Sequence, residues 1–497
     1  MKYDIKPKYT DQFLNEHLSG EKLGDGGQGV VFRTKDPDLA IKLSANDGQL
    51  IEDKDQIEKS QSIFKKLRIF PLDGVKVATP LVVLKDAPGY VMQVMSDMIP
   101  FSSFLFGEQK REVVESYTIP KWLDGCDKRY AQEITHYLNS GGLRKRLNAL
   151  YKCSSILCQI HGRGIVYGDI NPNNEFVSEN IGMSEVWLID ADNLRFEKDD
   201  GVRIYFPRFG APEIVQGKAG ASTQGDCHAF AVLAYLILTN LHPFVGDLVL
   251  DGDDWAEDID EGETLEDMAF SGKLPWINDQ EDDSNNRENG GLRGVLTLTA
   301  QLDKLFQATF GQGRTSPSLR PTIYYWPKAL AQAADMTVTC TECSMNYYYD
   351  FIHPETEGHH CPYCKTQRPQ VLILESYRWN GPNKPLNSPC WHYIREFPQN
   401  SQLTIPRRVF DDFRILDSDT AEVLISATNK EILIKKLDHG KAELFIAADS
   451  HQQSEFQKIY SQIKIDGETP DVKFWMFAHL NSPRLVHCMI SGGGKCD

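Results

Sequence analysis

A multidomain α+β chain is what these 497 residues predict, and three observations carry that expectation. Near the start, alternating apolar residues flank a glycine cluster, the mark of a two-stranded hairpin, and a helix-period segment follows. In the middle, residues 229–238 form an apolar run of helical character, closed by Thr239-Asn240 and His242-Pro243-Phe244. From Val371 onward, short strand-like runs recur at 371–374, 422–425, 431–434 and 443–446, with Asn429 and Gly440 as turn residues. A single core does not serve so long a chain, and about two to four domains are expected.

Composition narrows the function classes. A hydrophobic fraction of 41% with 10% aromatics is ordinary for a globular protein. No apolar run reaches the roughly 18 residues needed to span a bilayer. The opening Met1-Lys2-Tyr3-Asp4-Ile5-Lys6-Pro7 lacks the apolar stretch of a signal peptide, so a cytoplasmic location without a membrane partner is expected. The formal charge of -17 argues against nucleic acid as a partner. Most of that charge lies between Asp247 and Glu288, where sixteen carboxylates face two bases, Lys273 and Arg287. Such a run reads as a solvated insertion, or as a docking strip for a basic partner. Eleven cysteines, four of them in a metal-like cluster, indicate reduced thiols rather than a disulfide framework.

The hairpin centres on Gly24-Asp25-Gly26-Gly27-Gln28-Gly29-Val30-Val31-Phe32. Gly24, Gly26, Gly27 and Gly29 let the backbone lie against phosphate oxygens, while Val31, with Ala40 on the next strand, would cover an adenine ring. Many glycine turns match this pattern; what strengthens it is Ala40-Ile41-Lys42, because a lysine in an apolar strand is costly to bury. Lys42 would contact the α- and β-phosphates. A helix is expected from about Gln49 to Phe70 through Ile51, Ile57, Ile63, Phe64 and Leu67. Glu58 on it would pair with Lys42, with Glu52 as the rival. Strands follow at 82–84 and 90–95; Met92 would line the back of the pocket, and Gln93 to Met95 would form the hinge that binds adenine. The methionines fit plain core packing equally well.

Further on, Tyr167-Gly168-Asp169-Ile170-Asn171-Pro172-Asn173-Asn174 precedes the apolar run Val186-Trp187-Leu188-Ile189, which delivers Asp190. Asp169 can accept a proton from an attacking hydroxyl. Asn174 and Asp190 can hold Mg²⁺ against a triphosphate.

Taken in order, these elements resemble the protein kinase fold, and specifically bacterial kinases similar to eukaryotic Ser/Thr kinases, from about residue 20 to 330. The resemblance is carried by the glycine loop, Ala40-Ile41-Lys42, Asp169 with Asn174, Asp190, Ala211-Pro212-Glu213, the segment 226–233 and Arg320-Pro321. It implies a bilobal kinase domain over residues 1–335, with the smaller lobe at about 15–95 and the larger at about 96–335. It also implies ATP with Mg²⁺ or Mn²⁺ as cofactors and transfer of the γ-phosphate to Ser/Thr of a protein substrate. Asp169, Lys42 and Glu58 would be the catalytic set, Glu213 would pair with Arg320, and Asp226 would anchor the catalytic loop.

The departures are specific. Tyr167-Gly168-Asp169 stands where such kinases have His-Arg-Asp, and no Ser or Thr lies between Asp190 and Glu213, only Tyr205. Both halves of a phosphorylation switch are missing, so the resemblance implies an enzyme not controlled by Ser/Thr phosphorylation of this loop. Asn171 replaces the usual lysine. Ala191-Asp192 replaces Phe-Gly, with Asp192 either a metal ligand or, by preference, a turn cap. These gaps keep a pseudokinase scaffold open. Gly168-Asp169 and Ile189-Asp190-Ala191-Asp192 are also similar to small-molecule phosphotransferases of the aminoglycoside and choline kinase type, although those generally lack the Ala-Pro-Glu and Arg-Pro features.

Two insertions are expected, one between residues 101 and 144 and the other the acidic run. Cys340-Thr341-Glu342-Cys343 and Cys361-Pro362-Tyr363-Cys364 supply the four thiolates that Zn²⁺ prefers, in a closed structural site over residues 336–370. His353, His359 and His360 are substitutes only if a cysteine fails to ligate. The module resembles a zinc ribbon. Its Tyr347-Tyr348-Tyr349 run is expected to pack the module core rather than stack on bases. Residues 371–497 are expected to form a β-rich domain, with Arg407-Arg408 as a solvated pair or an anion site, ending in a mobile 492–497 tail. A kinase followed by a ribbon is similar to kinases encoded with a phosphatase and a von Willebrand-type protein in tellurium-resistance-associated gene groups, which implies those two as partners.

Overall fold

The computed structural model describes the chain except for residues 1–4, 27–28, 47–48, 108, 110, 198–200, 253–262, 351–359, 380–384, 429–430, 438–441, 448–455, 467–471 and 492–497. Gly27, His353, His359, Asn429, Gly440, the centre of the acidic run and the C-terminal tail therefore lie outside the described residues. The fold is mixed, with helices and antiparallel sheets, and divides into two compact units. The first holds residues 1–108, 152–289 and 305–324; the second holds 109–151, 290–304 and 325–497. This differs from a partition at 335 and 370. The expected insertion after residue 101 falls largely in the second unit, together with the cysteine pairs and the β-rich region. The boundary lies inside one helix, Gly142–His161. Among the described residues, no helix is long and apolar enough to cross a membrane.

The first unit begins with a twisted sheet of β1 (Lys8–Thr10), β2 (Glu16–Gly26), β3 (Gly29–Thr34), β4 (Leu39–Asn46), β5 (Gln49–Leu50), β6 (Val82–Val83) and β7 (Gly89–Gln93). Its order is β1-β2-β3-β4-β7-β6, with β5 paired to β4. Val30, Phe32, Ile41, Leu43 and Val91 alternate onto one face and form a core with Tyr9 and Leu84. Helix α1 (Lys54–Arg68) is capped by Asp53, whose side chain accepts from the Gln56 N–H, and Lys65, Lys66 and Arg68 in its last turn suit the negative end of the helix dipole. Phe64 and Leu67 are its buried residues, whereas Ile63, expected inside, is 41% exposed.

The rest of this unit is mainly helical. The helix Thr223–Thr239 is buried nearly all round, as its apolar run requires, and Asn240 ends it in the left-handed conformation. Trp276, Phe306 and Phe310 each pack edge-to-face against Tyr235 of this helix. Part of the acidic stretch is thus anchored rather than solvated: Leu265, Ala269, Trp276 and Ile277 are all buried.

In the second unit, a six-stranded antiparallel sheet runs in the order Trp391–Glu396, Val371–Arg378, Arg484–Ser491, Lys473–His479, Glu443–Ala447 and Gln457–Ile459. A four-stranded sheet holds Gln402–Pro406, Ala421–Ala427, Glu431–Lys436 and Gln462–Asp466. Arg408 is neither solvated nor an anion site: it pairs through two nitrogens with the fully buried Asp335 at 2.7 and 2.8 Å, and Trp391 Nε1 donates to the same carboxylate at 3.0 Å.

Candidate functional site

The strands place the predicted nucleotide residues in rows. Cross-strand neighbours share a sheet face, and the register pairs Val31 with Lys42, Lys42 with Tyr90, and Ala40 with Met92. Gly26 pairs with Gly29, so the two described ends of the glycine-rich segment lie opposite each other. Gly29 is required by close approach: a Cβ there would sit 2.4 Å from the Leu43 carbonyl oxygen. No such crowding surrounds Gly24. Gln93 is exposed and Met95 half-buried beside an open cavity of about 800 Å³, shared with Asp38, Ser178 and Trp187.

Lys42 is buried, and its Nζ lies 2.5 Å from Asp190 Oδ1 and 2.7 Å from Asp192 Oδ2. Burial alone would lower its pKa, but Tyr90, Asp192 and Asp190 outweigh that and hold it well above the usual lysine value. Glu58 does not take the expected place. It and Glu52 are exposed and form no ion pair with Lys42 among the described residues, because α1 turns Phe64 and Leu67 inward instead. The Asp192 side chain caps no turn among the described residues; it pairs with Lys42 and accepts from Tyr90 Oη at 2.8 Å.

Around Asp169, amides form a cage. Asn174 Nδ2 donates to Asp169 Oδ2 at 3.0 Å, Asn193 Nδ2 to the same oxygen at 3.2 Å, and Asn171 Nδ2 to Oδ1 at 3.2 Å. Burial, and then nearby Asp190, push the Asp169 carboxyl above the usual aspartate range, against the pull of these amides. Asn171, in the place of an expected lysine, is thus a brace of the loop: its Oδ1 also accepts from the Asn173 N–H at 3.0 Å. The Ile189 N–H donates to the Asn174 carbonyl at 2.9 Å, which ties the strand before Asp190 to this loop. Asp190 itself has left-handed backbone, φ 57 and ψ 60, a costly conformation for a non-glycine residue.

Asp226, at the start of its buried helix, accepts from the Tyr167 N–H at 2.7 Å and the Gly168 N–H at 2.8 Å. His161 Nε2 lies 2.9 Å from the same carboxylate. Gly168 has φ +82, a conformation that glycine adopts without strain. Tyr167 Oη donates to the Ile189 carbonyl at 2.5 Å. Glu213 and Arg320 pair as expected. Sequence reasoning missed Tyr90 and Asn193, and it read Asp192 as a metal ligand or turn cap rather than as a partner of Lys42. The one available signal was a second carboxylate two positions after Asp190.

Two relatives match parts of the chain. It is 30% identical over 112 residues to serine/threonine-protein kinase pkn2 of Myxococcus xanthus, covering 21% of this chain and 13% of that protein. It is 30% identical over 102 residues to serine/threonine-protein kinase GRIK1 of Arabidopsis thaliana, covering 19% of this chain and 24% of that protein. Over about a fifth of its length, the chain is related to serine/threonine kinases. The match spans about a quarter or less of either relative. No family model matches the chain.

In the second unit, Cys340, Cys343, Cys361 and Cys364 converge, with all four sulfurs within 4.8 Å of one another. Their two turns are built alike. The Ser344 N–H donates to the Cys340 carbonyl and the Lys365 N–H to the Cys361 carbonyl, each at 3.0 Å. Cys340 N–H bonds back to Met345 O at 2.9 Å and Cys361 N–H to Thr366 O at 2.8 Å. Ser344 and Lys365 share positive φ, 59 and 63. Four sulfurs at about 2.3 Å from a central Zn²⁺ stand about 3.8 Å apart; Cys340–Cys364 at 3.4 Å and Cys343–Cys361 at 3.6 Å are close to that spacing. Tyr347 and Tyr348 are buried, but Tyr348 Oη donates to the Thr297 carbonyl at 2.8 Å, outside residues 336–370.

Proposed function

We propose that the chain is an ATP-dependent protein kinase that transfers the γ-phosphate to a Ser or Thr hydroxyl of a partner protein. The observation that carries this reading is the convergence of Asp169, its amide cage and the Lys42–Asp190 pair on one loop and strand end. The kinship with serine/threonine kinases supports it.

Lys42 offers a fixed positive charge to the phosphates, and Gly29 permits close backbone approach. Asp169 takes the proton of the attacking hydroxyl while that oxygen bonds to the γ-phosphorus and the bridging oxygen leaves with ADP. Mg²⁺ would be held by Asp190 Oδ2 and Asn174 Oδ1, which accept no hydrogen bond among the described residues, and when bound it neutralises phosphate charge. Zn²⁺ in the four-cysteine site would be structural, since four thiolates leave no open position.

The test is transfer from labelled ATP to a mixed protein substrate with Mg²⁺ or Mn²⁺. Wild-type protein should label Ser or Thr. Asp169→Asn, Lys42→Met and Asp190→Asn should each lose about 100-fold or more while keeping the fold. ATP binding without turnover would instead identify a scaffold.

A further inference from the structure

We propose that Asp192, braced by Tyr90, positions Lys42 on the nucleotide phosphates and replaces the helix glutamate that the chain does not provide. This rests on the kinase reading above.

Helix α1 carries only two carboxylates, Asp55 and Glu58, and both are exposed. Its inward face meets the sheet through Phe64, whose ring packs edge-on against Tyr90 with centroids 4.9 Å apart. An apolar ring therefore fills the side of the sheet from which a helix carboxylate would reach the lysine. The acid comes from below instead. Asp192 lies in the one-turn 3₁₀ segment Ala191–Asn193, fixed by the fully buried Ala191 and by the Asn193 amide on Asp169.

Both oxygens of Asp192 are committed. Oδ2 takes Lys42 Nζ at 2.7 Å, and Oδ1 takes Tyr90 Oη at 2.8 Å. Tyr90 is fully buried and sits directly opposite Lys42 in the strand register, so acid, phenol and ammonium form one closed set. Asp190 spends only Oδ1 on Lys42. The two carboxylates thus divide the work: Asp190 keeps an oxygen for a metal ion, and Asp192 does not.

The arrangement has a regulatory consequence. Where a helix supplies the acid, displacement of that helix frees the lysine. Here the acid and the metal carboxylate share one turn, so displacing α1 leaves Lys42 held. Control over the site passes to residues 190–193.

Two measurements on the full-length chain test this. The first needs no turnover: acylation of Lys42 in nucleotide-free protein at pH 8, mapped by mass spectrometry. Asp192→Asn should label about fivefold or more faster than wild type, and Glu58→Gln at the wild-type rate. The second is steady-state phosphotransfer. Asp192→Asn should lower kcat/KM for ATP about 100-fold with an unchanged half-saturating Mg²⁺ concentration, Asp192→Glu should recover part of the loss, and Glu58→Gln should stay within about twofold of wild type. Tyr90→Phe, which keeps the ring, should show the same pattern more weakly and serves if Asp192→Asn does not fold. Unchanged Lys42 labelling and kcat/KM in the Asp192 and Tyr90 variants overturns the proposal. A raised Mg²⁺ requirement in Asp192→Asn makes the residue a metal ligand, and a Glu58→Gln loss as large as that of Asp192→Asn restores the helix glutamate; either outcome also overturns it. Wild-type protein that binds no ATP defeats the kinase reading, while the labelling comparison still reports on the clamp.

Discussion

Each arm of the Arg320 guanidinium meets one oxygen of Glu213 at 2.7 Å, with the arginine side chain fully buried. Its Nε also donates to the Gly313 carbonyl at 2.7 Å, so the arginine ties the 211–213 turn to the segment that ends the first unit. Removing either member leaves a charge without its partner, fully buried for Arg320 and largely buried for Glu213. Arg320→Met should therefore cost about 3–5 kcal/mol of stability in urea unfolding. Glu213→Gln, which keeps a hydrogen-bond acceptor, should cost less. Equal stabilities for wild type and Arg320→Met would show that the pair contributes nothing net.

The four-cysteine cluster leads to a metal prediction. Native mass spectrometry should find one Zn²⁺ per chain, and Cys343→Ser should abolish it. Because structural zinc binding is coupled to folding, chelation should lower the melting temperature of the second unit by several degrees and leave the first unit unchanged. Protein purified without zinc, with the cysteines disulfide-bonded, would argue for a redox role instead.

At Gly168 the backbone itself is at stake. Its φ of +82 lies where an L side chain is strained, although the nearest atom to a new Cβ, Ile204 Cγ2, is 3.5 Å away. Strain without a clash predicts a modest effect. Gly168→Ala should lose about 1–2 kcal/mol. The Asp226 bonds to the Tyr167 and Gly168 N–H groups should loosen with it, which amide hydrogen exchange at these two positions would detect.

Local pattern made much of this molecule legible before any coordinates. Alternation placed β3, β4 and β7, the apolar run placed Thr223–Thr239, and the spacing of the cysteine pairs gave the cluster, because each is a short-range signal with one physical reading. The lysine partner was not legible. Glu58 and Asp192 are both carboxylates at plausible positions, and the choice between them depends on which face α1 turns inward, a fact set by Phe64 meeting Tyr90 across the sheet. The division into two units rests on long-range contacts. Residues 109–151 and 290–304 join the second unit through contacts such as Tyr348 Oη to the Thr297 carbonyl at 2.8 Å, which no local pattern encodes.

Glu175 offers the last test, and its sign follows from burial. The residue directly follows Asn174, is fully buried, and forms no ion pair among the described residues, with the backbone N–H groups of Asn171 and Glu175 near its carboxyl. Burial, together with nearby Asp169, holds its pKa well above the ordinary 4.5, so the folded protein keeps a proton that the unfolded chain releases. Stability from this group is fully present below pH 4.5 and is lost as pH rises toward the folded pKa, at about 1.4 kcal/mol per pH unit. Glu175→Gln has nearly the same shape and no proton to lose. The variant should match wild type near pH 4 and melt at a higher temperature at pH 7.5, with the gap widening across that window. A gap that stays constant with pH would mean that Glu175 is ionised in the folded protein, held by a counter-charge rather than by its proton.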